Sequence, residues 1–258
     1  MYKGSRFKKR PVDEVLSDIE VAAGFRAEAR TAFIGDADSI IIPVEQLEQI
    51  LRHLYRHFPR LERVTSYGRA RTVLKKPVEE LQRLAEAGLS RLHLGLESGD
   101  DDTLMKVSKG FTAAQAVEAG LKVKEAGISL SEYVLIGLGG KDRYKEHAEF
   151  TASALNRIDP DFIRVRTLAV VAGTPLASML EEGTFSPCSN LELLEEEKLM
   201  IDLLDGINST FRSDHVSNLL QLDGKLPQDK ADMIEQLDEA LELVRGTGWE
   251  PARAVSVL

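Results

Sequence analysis

A handful of short stretches carry residue types that do chemistry. Gly35-Asp36-Ala37-Asp38 sets two carboxylates two residues apart. A hard cation takes oxygen ligands from such a pair, and aspartate there is also an ordinary turn residue. In Arg91-Leu-His-Leu-Gly-Leu-Glu-Ser-Gly, strand alternation puts Leu92, Leu94 and Leu96 on one face and His93, Gly95 and Glu97 on the other. With the leucines under helices, Glu97 either points to a ligand at the top of the strand or caps the next turn through the Ser98 and Gly99 amides. The run Ile136-Gly-Leu-Gly-Gly lets backbone approach a nucleotide closely, or makes a tight strand-to-helix turn. It is not the dinucleotide fingerprint, because Asp142 stands where the third glycine belongs. Arg164 and Arg166 share a strand face, where a guanidinium needs a carboxylate from the protein or from a ligand. His53 and His57 have the four-residue helical spacing of zinc sites but no glutamate between them, and they border the stripe Ile50, Leu54, Phe58. Helix packing is the expectation for this pair, as it is for His147 and His215 individually. Cys188, in Ser-Pro-Cys-Ser, reads as a loop thiol with no identifiable base beside it.

The elements that position these residues follow a rhythm of about thirty residues, a strand-like apolar run and then an amphipathic helix. Strands are expected at Thr31 to Gly35, Arg63 to Ser66, Arg91 to Glu97, Leu130 to Gly137 and Phe162 to Leu168. Helices are expected at Val12 to Ala22, Val44 to Phe58, Pro77 to Ala87, Thr112 to Ala126 and Lys141 to Asn156, with a short one inside Asp100 to Lys109. Pro43, Pro77 and Thr112 mark helix starts; Gly88 and Gly127 mark ends. Strands alternating with helices give an α/β fold with a parallel sheet, doubly wound or closed towards a barrel. The polar and glycine-rich clusters, Ser66-Tyr67-Gly68-Arg69 among them, fall just after strands, where both architectures bind ligands. Past Pro175 the rhythm changes. Two long helical patterns, Leu191 to Ile207 and Asp229 to Val244, bracket Asp214 to Leu226, a short strand or loop, and the tail from Gly246 has no pattern.

Composition narrows the function classes. With 33 basic against 42 acidic side chains and a net charge of −9, nucleic acid is not an expected partner, because neutralising phosphates takes a concentrated basic surface. The one basic cluster is Lys3 to Arg10. No run approaches the roughly 18 apolar residues of a membrane span, so no membrane partner and a cytoplasmic location are expected. A single cysteine excludes an internal disulfide framework and any three-thiolate metal site built from this chain alone.

Taken in order, five stretches resemble the radical S-adenosylmethionine (SAM) superfamily, in the branch of anaerobic coproporphyrinogen oxidase and the Fe–S oxidoreductases. They are Met1-Tyr-Lys-Gly-Ser-Arg-Phe-Lys-Lys-Arg-Pro, Phe33-Ile-Gly-Asp-Ala-Asp, Leu94-Gly-Leu-Glu-Ser-Gly-Asp-Asp with Lys109-Gly, Ile136-Gly-Leu-Gly-Gly, and Arg164-Val-Arg-Thr-Leu before Gly173-Thr-Pro-Leu. Their order and spacing carry the resemblance. It covers about residues 1–183, and Ser217-Asn-Leu-Leu-Gln-Leu-Asp-Gly-Lys-Leu-Pro resembles the same branch's extension. The fold it implies is a partial (βα)6-type TIM barrel core over residues 1–183, lacking its first βα element, with a helical C-terminal extension over 184–258. It implies SAM bound at the strands' carboxyl ends against a [4Fe–4S] cluster, whose one-electron reduction starts radical chemistry.

By the same resemblance, Gly35, Asp36 and Asp38 occupy the motif that holds the methionyl amine, and Ser66 closes the next strand. Glu97 and Ser98 match the polar pair contacting the ligand's amino-acid or ribose portion. Ile136 and Gly137 match the positions beside adenine, with Lys141 where an acid is usual, and Leu168, Ala169 and Val170 match the backbone contacts to adenine. Arg166 matches a carboxylate partner. An electron donor of flavodoxin or ferredoxin type and an unidentified small-molecule substrate are also implied. The family's Cys-x-x-x-Cys-x-x-Cys loop is not in this sequence, so the chain alone is expected to ligate no cluster, and a shortened N-terminus is the favoured explanation. Two other readings stay open. One is a cluster-free barrel enzyme holding a divalent cation on Asp36, Asp38 and Glu97. The other is a non-catalytic binding module.

Overall fold

A computed structural model describes residues 9–248. The basic cluster Lys3 to Arg10 lies mostly outside them, as do most of the first family-like stretch and the end of the tail. Seven strands form one sheet in chain order, β1 to β7, interleaved with ten α-helices among the described residues. The pairs β1–β2, β2–β3, β4–β5 and β5–β6 are parallel; β6–β7 is antiparallel. No helix among the described residues is long and apolar enough to cross a membrane. The chain divides into two compact units, one reaching to His93 and including Lys122–Ser129, the other made of Leu94–Leu121 and everything from Leu130 onward.

The first unit holds α1 (Val12–Arg26), β1 (Thr31–Ile34), α2 (Val44–His57), β2 (Arg63–Tyr67), α3 (Ala70–Lys75), α4 (Val78–Glu86) and the first half of β3 (Leu89–Glu97). Val44, Leu47, Ile50, Leu51 and Leu54 recur at helical spacing along α2 and are all buried, so this stripe forms the core side of the helix. α4 does the same with Leu81 and Leu84. Pro43 and Pro77 sit at the N-caps of α2 and α4, as their positions in the sequence predict.

In the second unit are the rest of β3, α5 (Asp101–Lys106), most of α6 (Ala113–Glu125), β4 (Ser129–Ile136), α7 (Tyr144–Ile158), β5 (Phe162–Thr167) and α8 (Pro175–Glu181). It continues with α9 (Asn190–Leu203), β6 (Thr210–Arg212), β7 (Asp223–Lys225) and α10 (Lys230–Thr247). Side chains start four of these helices: Asp100 accepts from Thr103 N, Thr174 from Ala177 N, and Thr112 with Gln115 and Ser189 with Glu192 bond reciprocally in capping boxes. The C-terminal segment, expected to be helical, also extends the sheet, because β6 pairs with β5 from Phe162↔Thr210 to Arg164↔Arg212.

Close packing governs the exit from β3. A Cβ on Gly99 would lie 2.2 Å from the Phe150 carbonyl oxygen and 2.4 Å from its carbon, both backbone atoms of α7. Only glycine lets the chain pass there. Gly99→Ala should therefore lose about 1–3 kcal/mol or more of unfolding free energy, the usual cost of overpacking. Urea titration would show this as a lower midpoint, and an unchanged midpoint would mean that α7 and this turn are not in contact.

Candidate functional site

In the first unit the residues singled out after β1 and β2 are drawn into local structure. Asp36 is exposed, with φ of 74°. Asp38 accepts from Thr72 Oγ1 at 2.6 Å and from Arg69 N at 3.2 Å, tying the loop after β1 to the start of α3. Burial raises its pKa above the ordinary carboxyl value, with these two hydrogen bonds opposing. Gly35 is exposed; Ser66 is fully buried, its hydroxyl 3.2 Å from the Tyr67 carbonyl and 3.4 Å from that of Ile34. The sequence reading missed a row of rings across the three strands. Phe33 and Tyr67 meet edge to face at 4.9 Å between centroids, and Tyr67 and His93 lie 5.6 Å apart. Strand register was the available signal, since Tyr67 is paired with His93.

The second unit gathers charge at the end of β3. Glu97 has φ of 63°, and its Oε1 accepts from Lys109 Nζ at 2.7 Å. Gly95 makes room for this pair, because a Cβ there would meet Glu97 Oε1 at 2.6 Å. The turn amides go elsewhere: Ser98 N to Leu96 O at 2.8 Å, Gly99 N to Thr151 Oγ1 at 2.9 Å, and Asp100 N to Ser98 Oγ at 3.0 Å. Of the two readings open for Glu97, the cap is thus supplied by other residues, and its carboxylate stands partly exposed beside an ammonium. Asp100, buried, takes Arg143 in a two-pronged contact, both prongs 2.8 Å. Burial pushes its pKa up, but Arg143 and Thr103 outweigh that and hold it below the ordinary value.

Next to this turn lies Glu132, which the sequence reading also missed. It is 1% exposed, and its Oε2 accepts from Leu96 N at 3.1 Å. Burial pushes its pKa up to about 8, the Leu96 bond and Lys109 opposing and Glu97 adding to the rise. Alternation could not flag it, because Ser131 and Glu132 are successive residues and both are buried.

Past β4, Ile136 is buried and Gly137 has φ of 86°. Its amide donates to both oxygens of Glu196, at 3.0 and 3.1 Å, and His147 Nδ1 lies 2.8 Å from Glu196 Oε1. Glu196 and His147 are both fully buried. Leu168 N reaches back to Ile136 O at 2.8 Å, while Ala169 is exposed and Val170 half-buried. Arg166 is exposed and lies over the Tyr133 ring, 5.0 Å from its centroid; Arg164 is 3.9 Å from Asp214. The segment after β6 latches onto the end of β5, with Thr167 N donating to Ser217 Oγ at 3.2 Å and Asn218 Nδ2 to Val165 O at 2.9 Å. His215, bound to Ser217 Oγ at 2.8 Å, has its pKa lowered by burial and by Arg166.

The sequence profile of the Radical SAM superfamily matches residues 2–151. The chain belongs to the radical SAM superfamily. Within it, the chain is 24% identical over 184 residues to the heme chaperone HemW of Bacillus subtilis (strain 168), a stretch covering 68% of this chain and 48% of that protein. The chain thus spans about half the length of HemW. Two solved structures superpose on it. One is Methanocaldococcus infernus Elp3 with an N-terminal deletion, at TM-score 0.59 and 14% identity over 93% of this chain and 64% of that one. The other is coproporphyrinogen III oxidase (HemN) from Escherichia coli, at TM-score 0.50 and 16% identity over 93% and 46%. At these identities the likeness concerns the fold. Intact radical SAM proteins use SAM and a [4Fe–4S] cluster, but the residues here do not fit the cluster: the sequence has one thiol, Cys188, buried in the loop before α9.

Glu132 makes stability depend on pH. A carboxyl raised from 4.5 to about 8 on folding stabilises the fold fully below pH 4.5, and this contribution is lost as pH rises through about 8. Glu132→Gln keeps an acceptor for Leu96 N and removes the titration. The difference in unfolding temperature, wild type minus variant, should fall steadily over that window, and a flat difference would show that Glu132 ionises as freely as in the unfolded chain.

Proposed function

We propose that the strand ends of the second unit bind the nucleoside and amino-acid portions of SAM, and that the parent protein is a radical SAM enzyme of oxidoreductase type acting on a small molecule. The observation that carries this reading is the partly exposed charge pair at the end of β3. Glu97 and Lys109 form an adjacent carboxylate and ammonium, the donor set that suits a zwitterionic amino acid, in a chain whose family uses SAM. Leu168, Ala169 and Val170 offer backbone and apolar surface past β5, a chemistry suited to adenine, while Gly137 is buried and shapes the neighbouring turn. Glu196 and His147 do not reach solvent, so their part is to hold the Gly137 turn rather than to touch a ligand.

Bound to its cluster, SAM supplies the family's radical chemistry; no step of it is assigned to residues of this chain. The three thiolates of such a cluster are not among these 258 residues; in a parent that holds them, an electron donor of flavodoxin or ferredoxin type would reduce the cluster. The first test is the coding sequence next to this one. A cysteine triad in frame supports the reading, and a stop codon or unrelated sequence on the upstream side counts against it.

The second test needs no cluster. Isothermal titration of the chain with SAM should give saturable binding. Removing one charge-assisted contact of about 1.5–3 kcal/mol costs roughly tenfold or more in affinity. Glu97→Ala and Lys109→Ala should both weaken binding by that much while leaving the circular dichroism spectrum unchanged. Equal affinity in wild type and both variants would remove the end of β3 from the binding site.

A further inference from the structure

In the sequence His53 and His57 have the helical spacing of zinc sites but no glutamate between them, and helix packing is the expectation for them. The fold supplies a third ligand. Glu20, on α1, places Oε1 3.1 Å from His53 Nε2. The two imidazoles, one helical turn apart on the same side of α2, have centroids 4.3 Å apart. One ligand atom from each of the three residues lies within 4.8 Å of the other two, the one such convergence of three His, Cys, Asp or Glu groups among the described residues. We propose that Glu20, His53 and His57 bind a divalent transition metal of the zinc class, which staples α1 to α2.

Ligand chemistry selects the class of metal. Two imidazole nitrogens and one carboxylate oxygen suit Zn²⁺ and its neighbours, whereas Mg²⁺ and Ca²⁺ take oxygen almost exclusively. Tetrahedral ligands at about 2.0–2.1 Å from zinc stand roughly 3.3–3.4 Å apart. The Glu20–His53 contact is already near that spacing, and the other ligand-atom separations, all within 4.8 Å, close on it by about 1.5 Å at most. Among the described residues His57 contacts the His53 ring and makes no other polar contact, so a ring nitrogen is available. Glu20 is exposed and both histidines are half-buried, which leaves the fourth position to water. Arg52 and Arg56 lie along the same side of α2, and Arg52 is partly neutralised by Glu48 at 3.2 Å.

A staple has a purpose at this place. α1 buries one residue fully, Ile19, and leaves Val21 and Phe25 61% and 84% exposed, so apolar contact holds it weakly.

Equilibrium dialysis of the 258-residue chain against Zn²⁺, with bound metal counted by atomic emission, tests the proposal. One zinc per chain is expected, together with a zinc-dependent rise in unfolding temperature. His57→Ala and Glu20→Ala should each weaken binding by at least about tenfold, since even altering groups that merely support metal ligands costs roughly 10–100-fold. Cys188→Ser should leave it unchanged. Where His57→Ala fails to fold, His57→Gln takes its place. No zinc on the wild type, full binding in the Glu20 and His57 variants, or loss in the Cys188 variant would overturn the assignment. None of these outcomes depends on SAM, so they bear on the zinc site alone.

Discussion

In the turn from Leu96 to Asp100 every residue but Glu97 is buried, and the backbone donors of those four must be satisfied by protein. Four neighbouring amides find four different acceptors: Glu132 takes Leu96 N, the Leu96 carbonyl takes Ser98 N, Thr151 takes Gly99 N, and Ser98 Oγ takes Asp100 N. Two of these acceptors lie in the turn itself and two bring in other elements. Glu132 belongs to β4 and Thr151 to α7, and Asp100 both starts α5 and fixes Arg143. Because these partners absorb the turn's hydrogen-bonding needs, Glu97 is left to meet Lys109 and solvent.

The same logic recurs past β4, with a more demanding solution. The Gly137 amide points into the protein, and α9 answers with a fully buried carboxylate, Glu196, itself backed by His147. The Gly137 amide, which donates to both carboxylate oxygens, offsets part of the cost of removing this group from water. Its neighbour Glu197 is also buried, and burial pushes its pKa up to about 7, the Ser213 hydrogen bond opposing and Glu196 adding to the rise. α9 therefore commits two adjacent acids to the interior, one that holds a loop and one drawn towards the neutral form. The C-terminal segment supports the strand ends directly, through Glu196 on β4 and through Ser217 and Asn218 on β5.

Long, strongly patterned elements were legible from sequence. β1 to β5 and their helices fall within a few residues of where alternation and helical spacing put them, since each buries an apolar face that the code of periods 2 and 3.6 records. Short elements left a weaker mark: α5 was expected and a short strand was one option in the segment where β7 lies, but α3, α8 and β6, of six, seven and three residues, were not foreseen. At the candidate site, sequence singled out Glu97 and Gly137 by type and position. It did not find Lys109 as the partner of Glu97, nor Glu132, Glu196 and His147 behind them. Those pairings join residues 12 to 59 positions apart, and no local pattern encodes which distant side chain closes a hydrogen bond.

The formal charge of −9 counts every carboxylate as ionised. The native chain does not carry it. At neutral pH Glu132 keeps its proton and Glu197 shares one with solvent, whereas both give them up once exposed by unfolding. These two groups take up protons on folding near neutrality, against the release from His215, and the heat measured for folding includes the ionisation heat of whichever buffer exchanges the difference.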